Sequence, residues 1–151
     1  MTGRRLAAGM HRYGDLAVGD RIETGRAMID DGMIDRFADL SGDRFALHMD
    51  EAAARRLGFP TRVAHGLLVL SVIDGLKNQA PAQLAAIASL NWSWSFHAPV
   101  LLGDSIRSVL VVEGKRLSRR ADRGIVSFEV SALNQYDEVV QSGRNQLMMQ
   151  V

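Results

Sequence analysis

The stretch Gly66-Leu67-Leu68-Val69-Leu70-Ser71-Val72-Ile73-Asp74-Gly75-Leu76-Lys77-Asn78-Gln79 carries the reading of the fold. Its apolar residues, Leu67, Leu68, Val69, Leu70, Val72, Ile73 and Leu76, fall on nearly every side of a helix, a pattern that calls for burial all round. Asp74 and Lys77 interrupt the run, which is too short to cross a bilayer. Pro81 closes it. The expectation is one long core helix over about residues 66–79.

Toward the C-terminus the period changes from helical to alternating. Leu90, Trp92, Trp94 and Phe96 alternate with Asn91, Ser93, Ser95 and His97, which reads as a strand. Ser105 to Glu113 is rich in Ile and Val, and Val126, Phe128, Val130 and Ala132 alternate with Ser127, Glu129 and Ser131. A turn at Asn134 to Asp137 then leads into Val139 to Met149, closing an antiparallel meander. Toward the N-terminus, Asp20 to Ile29 suits one strand, and Met33, Ile34, Phe37 and Leu40 mark one helix face started by Asp30 or Asp31 and stopped by Gly42. A second short helix starts at Asp50 and ends by Gly58 and Pro60, so Ser41 to Met49 is expected to be a loop between helices. Residues 1–12 read as an irregular arm. The sum is a single α+β domain over residues 13–151, a curved antiparallel sheet wrapped around one long buried helix.

Composition narrows the function. In 151 residues, 47% are apolar and 23% charged, as in a folded domain; 18 Lys and Arg against 17 Asp and Glu leave a net charge of +1, so no basic field draws nucleic acid. With no cysteine there is no disulfide, thiolate zinc site or cysteine nucleophile, which suits the cytoplasm. Neither a secretory leader nor a membrane span is expected. Phosphate-loop, dinucleotide and Gly-x-Ser-x-Gly patterns do not occur, and the four histidines show no metal-ligand spacing.

The loop Ser41-Gly42-Asp43-Arg44-Phe45-Ala46-Leu47-His48 sets a carboxylate and an imidazole five positions apart, within reach of each other across a folded loop. Such a pair suits proton transfer. The same residues also fit plain structure, with Asp43 capping a turn and His48 satisfying a backbone carbonyl. His65 equally reads as a helix cap, His97 as an edge residue, Trp92 and Trp94 as core, and Pro99, Gly103 and Asp104 as a turn. Lys115, Arg116, Arg119, Arg120 and Arg123, offset by Asp122, form either a solvated turn or a phosphate-attracting cluster.

Phe37-Ala38-Asp39-Leu40-Ser41-Gly42-Asp43, Leu47-His48, Ala64-His65-Gly66-Leu67-Leu68, Ala98-Pro99-Val100 and Gly103-Asp104 together resemble the MaoC-like dehydratase and (R)-specific enoyl-CoA hydratase family of the hot-dog fold. The likeness extends from about Tyr13 to about Leu147. It departs at Phe45 and Ala46, where Asn and Pro are usual. The resemblance implies reversible hydration of trans-2-enoyl thioesters to (R)-3-hydroxyacyl thioesters. Asp43 and His48 would be the catalytic pair, Gly66 the backbone donor to the thioester oxygen, and Ser41 and His65 possible supports. It implies neither metal nor cofactor, a coenzyme A or acyl-carrier-protein thioester as substrate, and a homodimer. Two other functions fit the same fold, an acyl-CoA thioesterase and a non-catalytic acyl-thioester binding or assembly subunit.

Overall fold

The computed structural model describes residues 3–151. In chain order the elements are β1 (Gly9–His11), a 3-10 turn (Tyr13–Asp15), β2 (Arg21–Glu23), β3 (Ala27–Met28), α1 (Asp31–Ser41), α2 (Ala46–Met49), α3 (Glu51–Arg56), α4 (Gly66–Gln79), β4 (Ala82–Leu84), β5 (Ala86–Phe96), β6 (Ser105–Leu117), β7 (Arg123–Leu133) and β8 (Val139–Gln150). The main antiparallel sheet has the order β2-β6-β7-β8-β5, with β3 also on β6. This is the hot-dog arrangement expected, a sheet built mostly from the second half around α4.

Alternation explains which side chains meet the helix. Ile106, Leu110 and Val112 of β6, Val126, Phe128, Val130 and Ala132 of β7, and Leu147 and Met149 of β8 share one core with Leu68, Val69, Ile73 and Leu76 of α4. β5 lies at the end of the strand order and, among the described residues, pairs with β8 alone. Two irregularities in that pairing, between Ala86 and Ala88 and between Ser89 and Asn91, leave Ile87 and Leu90 as bulged, exposed positions.

Several expectations need correction. The helix is not covered all round: Leu67 is 60% exposed and Ser71 is exposed, because one sheet can cover only one side of α4. The strand expected over Asp20 to Ile29 is two pieces, β2 and β3, separated at Thr24–Arg26, where the Thr24 hydroxyl accepts from Ser108 N–H at 2.8 Å in place of a regular ladder. In the arm expected to be irregular, residues 1 and 2 lie outside the described residues, while Gly9–His11 pairs in parallel with β4. Leu6 is buried there, and the Arg4 guanidinium grips Asp20 with two bonds of 3.0 Å. One apolar residue and a short stretch of free backbone suffice to dock such an arm, and neither leaves a periodic signal. Among the described residues no helix is long and apolar enough to cross a membrane.

Candidate active site

The loop after α1 is shaped by side chains bonding to nearby backbone. Asp30 caps the helix start by accepting from Met33 N–H at 2.8 Å, and Gly42 ends it in the left-handed conformation at φ 79°. Ser41 Oγ donates to Phe37 O at 2.6 Å and accepts from Asp43 N–H at 3.1 Å, so the last turn sets the direction of the exit. Asp43 Oδ1 then accepts from Phe45 N–H at 3.2 Å, closing an Asx turn. The segment Ser41 to Met49, expected to be a loop between helices, contains one turn of helix, α2, which presents His48. A single turn is too short for any apolar period to announce.

His48 is held from two sides. Its Nδ1 lies 2.7 Å from Val63 O, and its own carbonyl accepts from Arg62 Nε at 2.6 Å, while Arg62 Nη2 donates to Asp35 at 2.6 Å. A carbonyl can only accept, so Nδ1 carries a proton, and in the neutral ring Nε2 keeps a lone pair. His65 is fixed in the opposite sense: its Nε2 lies 2.8 Å from Asp43 O, which leaves the buried Nδ1 without a partner. The cap expected for His65 is not made; α4 has no side-chain cap, and the imidazole reaches back to the Asp43 loop, where its ring is stacked. His65 lies between Phe37, at 4.9 Å between centroids, and His48, at 4.1 Å, with the edge of the Phe45–His48 pair at 5.8 Å.

Asp43, His48 and His65 each offer an oxygen or nitrogen within 4.8 Å of the others. Two hydrogen bonds of about 2.8 Å meeting at one water oxygen span about 4.6 Å, which lies within that limit. The same three residues form a group of the kind that could hold a metal ion, with the His48 and His65 rings stacked 28° apart.

Gly66 opens α4, and its N–H has no carbonyl one turn back in the helix to receive it. A Cβ at this position would stand 2.6 Å from the Phe96 ring, so any side chain here would have to displace that exposed ring from the helix start. Gln141, which the sequence reading passed over, joins β5 to the start of α4: Oε1 accepts from Trp94 Nε1 at 2.7 Å and Nε2 donates to Gly66 O at 3.2 Å. It is 2% exposed, and its polar group in the inward phase of β8 was the available signal. The remaining candidates fall where plain structure places them. Trp92 and Trp94 are half-buried against the core, exposed His97 bonds Ser142 Oγ at 2.6 Å, and Asp104 accepts from Leu101 N–H at 2.9 Å in the turn at Gly103.

A model of the MaoC like domain matches residues 16–133. The (R)-specific enoyl-CoA hydratase of Rhodospirillum rubrum is 31% identical over 108 residues, 70% of this chain and 72% of the relative. The crystal structure of a MaoC-like dehydratase from the same organism superposes with a TM-score of 0.85 at 30% identity, covering 93% of this chain and 97% of the other. A Mycobacterium tuberculosis protein with a double hot-dog fold gives a TM-score of 0.82 at 21% identity over 93% of this chain and 44% of its own, a likeness of fold alone.

Proposed function

The chain belongs to the MaoC-like domain family, and from that premise we propose that it adds water reversibly to trans-2-enoyl thioesters, giving (R)-3-hydroxyacyl thioesters, at the Asp43–His48 pair. A hydratase or dehydratase of acyl thioesters is the coarser reading that relatives at about 30% identity support. The observation that carries the finer one is the spacing of Asp43 and His48, combined with a tautomer that leaves His48 Nε2 free to accept.

Hydration needs a held water, an acceptor for its proton, a donor to C2 and charge stabilisation at the thioester oxygen. Asp43 and His48 hold the water between them. As its oxygen bonds to C3, the C2–C3 π electrons move toward C2 and the carbonyl, and the water's proton passes to the pair. The pair returns a proton to C2, so nothing is consumed but the water. The N–H of Gly66, at the positive end of α4, faces the developing oxyanion. Ser41 and His65 act as positioning residues, the first through the Asp43 backbone N–H and the second through the Asp43 carbonyl and the His48 ring face. Dehydration is the same path reversed, and neither metal nor redox cofactor takes part.

A second copy of this chain is the expected partner. β5 offers an open edge of 11 residues, and Leu67, Ile87, Leu90 and Phe96 are exposed apolar residues on or beside it. Covering that face would also shield the exposed Asp43 from bulk water. The test follows an enoyl-CoA substrate by the loss of its conjugated absorbance and by a thiol reagent. Loss of absorbance with no free thiol supports hydration. Thiol release indicates thioester hydrolysis, and binding without turnover indicates a binding subunit; either outcome ends the proposal.

A further inference from the structure

Five cations stand between Lys115 and Arg123 against one carboxylate, in a chain whose net charge is only +1. Lys115 is committed elsewhere, donating to Tyr13 O at 2.8 Å and Leu16 O at 2.7 Å over the Tyr13 ring. Arg107 and Arg144, on the same sheet, are paired with Asp137 and Glu113. Among the described residues, Arg116, Arg119, Arg120 and Arg123 make no such ion pair, and all four are exposed. Arg123 also lines a cleft of about 410 Å³ with Arg12, Ile87, Asp122, Gln150 and Val151. Asp122 is engaged by the Ser118 hydroxyl at 3.1 Å. At this cleft the Arg12 and Arg123 guanidiniums each make one bond of 3.1 Å, to Val151 O and Asp122 O, and among the described residues no ion pair, so both planar forks keep donors for a phosphate-bearing ligand.

The register places this cleft far from the candidate site of its own chain. Arg123 pairs with Gln150 and Ala86 with Met149 at one end of the sheet, while Phe96 pairs with Gln141 at the other. The Phe96 end adjoins Gly66. The ten steps of β5 between them amount to about 33 Å. Two identical strands joined edge to edge about a two-fold axis run antiparallel. A junction centred on Asn91 therefore sets the Ala86 end of one copy opposite Phe96 of the other. A junction centred nearer Phe96, along the regularly paired stretch Asn91–Phe96, carries it past Phe96, away from Gly66.

Resting on the hydratase reading and on the dimer above, we propose that Arg119, Arg120 and Arg123, with Arg12 beside them, bind the phosphates of coenzyme A for the Asp43–His48 site of the other protomer. Each thioester then spans two chains, its acyl end beside Gly66 of one and its nucleotide end on the arginine hairpin of the other. An isolated protomer would hold only half of the substrate.

The test compares crotonyl-CoA with crotonyl-pantetheine, the same thioester without phosphates, in wild type and in a variant carrying Arg119→Gln, Arg120→Gln and Arg123→Gln. The expected result is a rise of about tenfold or more in KM for the coenzyme A substrate relative to the pantetheine substrate, shrinking as salt is added. An unchanged ratio overturns the proposal. Mixed dimers with Asp43→Asn in one protomer and the three glutamines in the other then locate the contact. Wild-type KM at about half the wild-type kcat means that the phosphates sit on the partner. The raised KM of the triple variant, or a protein that is monomeric in solution, overturns it. If no thioester is hydrated at all, calorimetric titration with coenzyme A separates the two readings: arginine-dependent binding, with mixed dimers of intact and triple-variant protomers keeping one full-affinity site, leaves this inference standing without the hydratase. Binding that ignores the arginines ends it.

Discussion

The loop from Ser41 to His48 and the sheet formed by β6, β7 and β8 are held by different physics. The sheet is held by burial: Phe128, Val126, Val130 and Met149 have no exposed surface. The loop is held by a chain of bonds from side chains to backbone, Ser41 to Phe37, Asp43 to Phe45, His48 to Val63 and His65 to Asp43, with its polar ends left in reach of solvent. A scaffold that stores its stability in apolar contact can leave a loop free to carry charged chemistry. The difference predicts that damage to the two regions will be read by different instruments.

The largest expected effect is on the scaffold. Phe128→Ala removes a fully buried ring and should cost about 3–5 kcal/mol in urea or thermal unfolding, while the molecules that remain folded keep their turnover per site. Asp43→Asn, at an exposed position, should do the reverse. Turnover on an enoyl-CoA falls at least a hundredfold, about 2.7 kcal/mol of transition-state stabilisation, with the melting temperature nearly unmoved. A large drop in melting temperature with turnover intact would make Asp43 a structural residue and erase the contrast. Ser41→Ala lies between them, losing two loop bonds at an exposed site for about 1 kcal/mol or less of stability and a several-fold loss of turnover, measured on the same preparation.

The contrast was only partly legible in the residues. Period-two alternation over Val126–Ala132 and the apolar run after Gly66 placed β7 and α4, because burial leaves a repeating mark in sequence. Caps were readable too, at Asp30, Gly42 and Asp50, since each supplies a bond or a backbone conformation that few other residues can. The loop was different. Asp43 and His48 could be named, but their convergence depends on Val63 and His65, which lie 15 and 22 residues further along and bond through a carbonyl or a ring face that no spacing rule encodes. Gln141 was missed for a related reason: a polar residue inside an alternating strand looks like an interruption until its two partners, Trp94 and Gly66, are seen. The exposed side of α4 was also out of reach, since an all-apolar pattern calls for burial all round and does not mark which side stays open.

The smallest effect concerns the arm. The Arg4 guanidinium beside Asp20 holds that buried carboxyl below the usual carboxylate range against the opposing effect of burial, and the Ala17 N–H adds to the shift. A carboxyl with a lowered folded-state value stabilises the fold above its ordinary titration range and loses that contribution as pH falls through the lowered value. The gap in melting temperature between wild type and Arg4→Gln should therefore be open at neutral pH and close in acid, with turnover unaffected throughout. A gap that widens in acid would contradict the assignment.

The central claim is that one water, held by Asp43 and His48, joins the substrate at C3. Turnover of crotonyl-CoA in water enriched in oxygen-18, followed by mass spectrometry, tests this most directly. The account predicts label in the 3-hydroxyl group of an intact thioester, at a rate that collapses in Asp43→Asn. Label in a free carboxylate with released thiol, or labelling at the same rate in Asp43→Asn, would contradict it.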